Sequence, residues 1–199
     1  MLWVEDARMG WFFDKCLKFV QPYTLEITYG VENRSQYPLY WLYCAHILCH
    51  YRPGIELHLP SACYRRDETI GQPLPELCTE QARFLRRFEE FPDQSAAFYV
   101  SDFVGSAGCA YIDRAARKVL YLRWSLPVAY LAIWYNRNAW MPNQPLTHIG
   151  LEPTTAGSQD LAQWVRTADP EPLAPGHRVA WTLTLSAGDL KSDDTPSET

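Results

Sequence analysis

The sequence predicts a mostly β protein, an antiparallel twisted β-sandwich, on three observations. Apolar and polar residues alternate in two well-separated runs, residues 23–31 and 179–185. β-branched and aromatic residues, which pack well on a pleated surface, gather in further short runs. Proline outnumbers glycine, 15 to 10, which favours extended strands and rigid turns over helical bundles. At 199 residues, 47% of them apolar, the chain can bury one real core.

In the first run Tyr23, Leu25, Ile27, Tyr29 and Val31 share one face, and Thr24, Glu26, Thr28 and Gly30 take the other. Residues 77–91 predict a helix: Ala82, Leu85 and Phe88 form a stripe among charges, between Pro75 and Pro92. Phe98-Tyr99-Val100, residues 119–124 and residues 130–134 are further strand candidates. Gly105-Ser106-Ala107-Gly108 and Asp113-Arg114 mark turns of an antiparallel meander between Phe98 and Trp124. Residues 158–166 predict a second helix, with Ser158 as its cap and Leu161, Trp164 and Val165 on one face. In the last run Thr182 and Thr184 turn outward. Beyond it the chain becomes polar and acid-rich, so the reading is one domain over residues 1–188 and a flexible acidic tail over 189–199.

Composition excludes several classes of function. A formal net charge of −5 argues against a nucleic-acid surface, and the basic cluster Arg83, Arg86, Arg87 is flanked by Glu80, Glu89 and Glu90. No run approaches the roughly 18 unbroken apolar residues of a membrane span. Glu5 and Asp6 stand where a secretory signal would carry basic residues. The six cysteines (Cys16, Cys44, Cys49, Cys63, Cys78 and Cys109) show neither a CxxC pair nor a finger spacing. They read as reduced core thiols of a cytoplasmic protein. His46-x3-His50 with Glu56 hints at a cupin-like metal site, but the histidine spacing and the absence of a later matching histidine argue against it. The chain carries no G-x-S-x-G elbow and no glycine-rich phosphate loop. No metal and no cofactor are expected.

The run His148-Ile149-Gly150-Leu151-Glu152-Pro153-Thr154-Thr155 carries the most chemistry. Pro153 fixes its own φ and pushes Glu152 out of the helical region, so this carboxylate is held on extended backbone in an apolar setting. Burial in a rigid frame is how a glutamate acquires the raised pKa of a general base. Taken alone, the run is better read as a strand-end glutamate in a surface turn. His46, Leu48 and His50 would share one face of a strand, and a lone strand histidine is most often a satisfied core or rim residue.

The order of motifs supplies more. GLEPTT, a short helix, Leu173-Ala174-Pro175-Gly176-His177 and then Trp181-x-Leu183-x-Leu185 resembles the C-terminal end of the aldose 1-epimerase (galactose mutarotase-like) family. Upstream, Leu126-Pro127 and Ile133-Trp134-Tyr135-Asn136 look like the strand that precedes the family's glutamate. Asn33, Pro38-Leu39-Tyr40-Trp41, His46 and Pro53-Gly54 through Leu59-Pro60 are similar to its earlier stretch. The resemblance covers about residues 10 to 187 and only the later part of a family domain.

The resemblance implies a β-sandwich of galactose mutarotase-like type that interconverts the α and β anomers of an aldose by opening and reclosing the ring. Glu152 matches the base that takes the anomeric hydroxyl proton, and His46 the acid that protonates the ring oxygen, one on each side of the sugar. Trp134 would offer a stacking platform, while Asn136 and Asp102 would bind hydroxyls. The ligand would be a monosaccharide or sugar phosphate, with no nucleic acid or membrane as partner. The chain departs from the family in two places. It begins at Met1-Leu2-Trp3, past the early strands that bring an arginine and often a further histidine, and Ile47 stands where a proline often follows the histidine. It therefore reads as N-terminally truncated, and the alternative is a noncatalytic carbohydrate-binding sandwich.

Overall fold

The computed structural model describes residues 1–71, 93–140 and 146–190. Two antiparallel sheets pack face to face. The larger holds seven strands in the order β1 (Leu2–Asp6), β2 (Trp11–Gln21), β3 (Thr24–Asn33), β12 (Arg178–Asp189), β9 (Lys118–Trp124), β8 (Gly108–Asp113) and β5 (Ile55–His58). The smaller holds five, in the order β4 (Ile47–His50), β11 (Thr147–Thr154), β10 (Tyr130–Arg137), β7 (Ser95–Ser101) and β6 (Tyr64–Gly71). One helix, α1 (Leu161–Ala168), completes the described residues. None of the described helices is long and apolar enough to cross a membrane.

Alternation places the core. Ile27, Tyr29 and Val31 of β3 and Trp181 and Leu183 of β12 point inward and are buried, whereas Thr28 is exposed. They meet Leu131, Ile133 and Tyr135 of β10 and Ile149 and Leu151 of β11 from the facing sheet. Trp181 lies at the centre of this layer. Its ring stacks on Tyr29 at 5.5 Å and on Trp41 at 5.3 Å, and meets Tyr43 edge-on at 4.8 Å. Such offset and edge contacts add to the area that the rings bury. Gly30, on the outer face of β3, leaves the path along which Arg178 reaches Asp14 at 2.6 Å; a Cβ there would lie 2.0 Å from the guanidinium.

Four readings need correction. The segment from Phe98 to Trp124 is not a meander. Strand β7 belongs to the small sheet, and the chain crosses to the large sheet before the β8–β9 hairpin begins. The crossing is anchored where Val104 and Gly105 N–H donate to the Ala129 carbonyl. The second helix begins at Leu161, and Asp160, not Ser158, caps it by accepting from Gln163 N–H at 3.0 Å; Ser158 Oγ instead accepts from Asp160 N–H. Aspartate is the better acceptor at a helix N-terminus, where its charge also meets the helix dipole. Leu161, Trp164 and Val165 do share the half-buried face. Of the cysteines, Cys49 and Cys109 are core thiols and Cys44 is half-buried, but Cys16 and Cys63 are exposed. Strand β12 runs on to Asp189, which pairs with Lys118. The helix expected at residues 77–91, Cys78 and residues 191–199 lie outside the described residues.

The seven-stranded sheet overhangs its partner. Leu17 and Phe19 of β2 pair with Ile27 and Leu25 and therefore face the same way, yet they are 46% and 75% exposed. The core in contrast is closed around β9 and β12. Leu122, fully buried and paired with Leu185, tests it. Leu122→Ala should lower stability by about 2–5 kcal/mol. In urea unfolding this appears as a lower midpoint at unchanged slope.

Candidate functional site

The GLEPTT run forms the end of β11, and each residue in it has a distinct local role. Leu151 faces the core and is fully buried. Glu152 therefore points to the other face of the small sheet, yet it too has no exposed surface. Pro153 has no N–H to donate and sits beyond Leu151, the last residue of β11 that pairs with β4. Its carbonyl accepts from Ala45 N–H at 2.9 Å. Thr154 Oγ donates to the Tyr43 carbonyl at 2.8 Å, and Thr155 Oγ accepts from Tyr43 N–H at 2.9 Å. The proline and the two threonines thus clamp residues 43–45 alongside β11. That clamp sets Cys44 and His46 beside Glu152.

His46 Nδ1 lies 3.1 Å from Glu152 Oε1, an ion-pair distance, although Oε1 has no aligned hydrogen bond. Cys44 Sγ donates to Oε2 at 3.5 Å. Burial raises the Glu152 pKa above the ordinary carboxylate range, and the charge of His46 and the bonds from Cys44 and His46 pull it part of the way back. Burial, followed by the negative charge of Glu152, drives the Cys44 thiol strongly upward, so it is a protonated donor. The His46 side chain is 62% exposed. Glu152, Cys44 and His46 wall a cavity of about 250 Å³ that Phe98, Val100 and Ser158 also line. A larger groove of about 580 Å³ beside β8 and β9 is an open surface whose lining includes no carboxylate.

Four of the five expected residues, Glu152, His46, Trp134 and Asn136, share this face, but Trp134 and Asn136 do not line the cavity. Trp134 pairs with Gly150, on the same side of the sheet as Glu152. Its ring is held edge-on by His148 at 4.8 Å and by Trp140 at 5.3 Å. A Cβ at Gly150 would lie 2.4 Å from Glu152 Oε1 and 3.1 Å from Trp134 Cβ, so the glycine is what lets both lie across it. Asn136 and Asp102 differ from expectation. Asn136 is fully buried; its amide donates to the Leu146 carbonyl and faces His148 Nδ1, and its oxygen accepts from Ala139 and Trp140 N–H. That fills the capacity of an amide side chain and ties down a loop. Asp102 Oδ1 accepts from Cys63 and Phe103 N–H and does not line the cavity.

The acid and base also stand side by side, in contact, rather than on either side of a sugar-sized gap. Sequence reasoning missed Cys44, Phe98 and His148. The signal for Cys44 was its place two residues before His46, which on extended backbone shares a face with it. The His148 pKa is lowered by burial, and its Nε2 has no hydrogen-bond partner among the described residues.

Two substitutions probe this geometry. Gly150→Ala should displace the Glu152 carboxylate, because the added methyl cannot coexist with it at 2.4 Å. Overlap of the variant's crystal structure with the parent at Glu152 would refute that. Glu152→Gln removes a group whose folded-state pKa is raised, and such a group is destabilising once pH exceeds its unfolded value. Above that range Glu152→Gln should raise Tm by about 2–4 °C, the shift that about 1 kcal/mol brings to a chain of this size. The gain should vanish as pH falls below the unfolded carboxylate pKa. Thermal melts across pH measure both limbs.

No family model matches the chain, and no curated protein matches it by sequence. Solved structures do. A candidate aldose 1-epimerase from Klebsiella pneumoniae aligns with a TM-score of 0.72 at 12% identity, over 95% of this chain and 50% of its own. The Slr1438 protein from Synechocystis aligns at 0.69 and 14% identity, over 94% and 60%. A galactose mutarotase-like protein from Clostridium acetobutylicum aligns at 0.62 and 13% identity, over 90% and 56%. The chain thus spans between half and about three fifths of the length of these neighbours. At this identity the likeness is one of fold, and the fold is the galactose mutarotase-like β-sandwich.

Proposed function

We propose that the chain is an aldose 1-epimerase-like protein that interconverts sugar anomers with Glu152 as base and His46 as acid. The observation that carries this reading is the contact between the buried Glu152 carboxylate and the imidazole of His46 at 3.1 Å. A carboxylate paired with an imidazolium is the protonation state that mutarotation requires at its start. Glu152 takes the proton from the anomeric hydroxyl as the C1–O5 electron pair moves to the ring oxygen, and His46 supplies the proton that O5 gains. The open aldehyde rotates about C1–C2. Attack by the O5 hydroxyl on either face then returns its proton to His46, and Glu152 gives its proton back to the anomeric oxygen. No atom or electron is left over.

The side-by-side placement suits this chemistry, because the two oxygens share one carbon and the acid and base address neighbouring positions. A bound sugar must still part them, and the exposed His46 ring is the side chain free to swing outward. The cavity of about 250 Å³ suits a single sugar ring, such as a monosaccharide or its phosphate, and not a polymer. Phe98, in the cavity lining, offers an apolar face for sugar C–H groups, and Trp134 lies next to it on the same side of the sheet, outside the lining.

Polarimetry of freshly dissolved α-glucose or α-galactose tests the proposal directly. The protein should exceed the spontaneous rate, and Glu152→Gln should remove roughly 10²- to 10⁴-fold of the acceleration while sugar binding, read from tryptophan fluorescence, persists. His46→Ala should lose less if water replaces the acid. As pH falls through the raised Glu152 pKa the base becomes protonated, so the rate should fall with it. Binding without acceleration for any free or phosphorylated hexose would leave a noncatalytic carbohydrate-binding sandwich.

A further inference from the structure

We propose that Cys44, His46 and Glu152 form a divalent metal site of zinc type, with a fourth position open to the cavity. The inference rests on the donor atoms themselves; a bound ion would occupy the Glu152 and His46 atoms assigned above as base and acid, so the metal-bound and the catalytic states of the site exclude one another. One ligand atom from each residue, the thiol sulfur, an imidazole nitrogen and a carboxylate oxygen, lie within 4.8 Å of one another. Tetrahedral zinc with bonds of about 2.0–2.3 Å holds its donors roughly 3.3–3.8 Å apart. The spacing of 3.5 Å between Cys44 Sγ and Glu152 Oε2 lies within that range, and the 3.1 Å between His46 Nδ1 and Glu152 Oε1 falls just short of it. Small side-chain rotations close the set, and the backbone clamp on residues 43–45 already holds two of the three ligands beside the third.

Charge and access agree. Glu152 is wholly buried, and among the described residues its Oε1 has only the unaligned His46 contact at 3.1 Å, which leaves it room for a further partner. A thiolate, a carboxylate and a neutral imidazole carry two negative charges, so a bound Zn²⁺ would leave the buried group electrically neutral. Binding releases one proton from Cys44 as the S–H bond gives way to S–Zn, and a second from His46 where the site starts as the carboxylate–imidazolium pair. A thiolate with an imidazole favours a borderline-soft ion over magnesium or calcium, which take oxygen donors. The exposed His46 edge provides the way in.

Cobalt(II) reports such a site without any assay of activity. Titrated into chelator-treated protein, Co²⁺ should bind one to one and give the strong visible bands of a four-coordinate ion together with a sulfur-to-cobalt charge-transfer band. Stoichiometric Zn²⁺ should displace both. Cys44→Ser should abolish the charge-transfer band and weaken binding roughly tenfold or more. His46→Ala, at a largely exposed side chain that the fold does not need, should weaken binding comparably, and it keeps the test valid if Cys44→Ser fails to fold. Absence of bound cobalt, or a charge-transfer band that survives Cys44→Ser and so comes from other thiols such as exposed Cys16 and Cys63, would overturn the proposal. Undiminished affinity in His46→Ala would do the same.

Discussion

Everything distinctive about the small sheet depends on a few hydrogen bonds between the end of β11 and residues 43–45. Ala45 N–H donates to Pro153, Thr154 donates to the Tyr43 carbonyl, and Tyr43 N–H donates to Thr155. Each such bond contributes only about 0.5–1.5 kcal/mol. Together they bring a segment more than 100 residues distant in sequence to within reach of Glu152. Without the clamp, a buried carboxylate would have no nearby imidazole and no thiol, and its burial would be a pure penalty. The same segment places Tyr43 against Trp181, so the site and the aromatic centre of the core share one anchor.

This arrangement sets stability against chemistry. Glu152 is the one carboxylate with no exposed surface among the described residues, and its burial raises its pKa. A core optimised for stability would place a neutral or apolar side chain there. The carboxylate persists beside a thiol and an imidazole, and it does so over a glycine whose absent side chain makes the room. Local structure is bent toward the carboxylate and not the reverse.

Much of this was legible in the sequence, and for identifiable reasons. The period-two runs gave β3 and β12 because both strands have one covered and one open face along most of their length. Glu152 was legible because proline announces extended backbone on either side of it. Strand β2 was not, since Trp11, Phe12 and Phe13 are consecutive and its far half is exposed on both faces, so no alternation is imposed. Which sheet a strand joins was also beyond reach: β7 and β8 read alike locally, and only tertiary packing assigns them to opposite layers. Asn136 and Asp102 look like ligands for hydroxyl groups in sequence because polar residues near a strand end can serve either role. In the folded chain nearby backbone groups claim them first. Cys44 was hidden by its apolar neighbours, which make a thiol look like filler.

The overhang of the large sheet has a consequence for how the molecule opens. Along β9, β12 and the inner part of β3, breaking a ladder means exposing two packed layers at once. Along the far half of β2 and along β1, where Leu2, Val4, Leu17 and Phe19 already meet solvent, it means separating strands of a single layer. Amide hydrogens should therefore exchange fastest at the β1–β2 margin and slowest beneath Trp181, in a gradient that runs across the strands. The candidate site sits on the outer face of the opposite sheet, but Val4, Trp11 and Phe13 line one cavity with Leu42 and Tyr43, so loosening at the β1–β2 border reaches the segment that holds the Glu152 clamp.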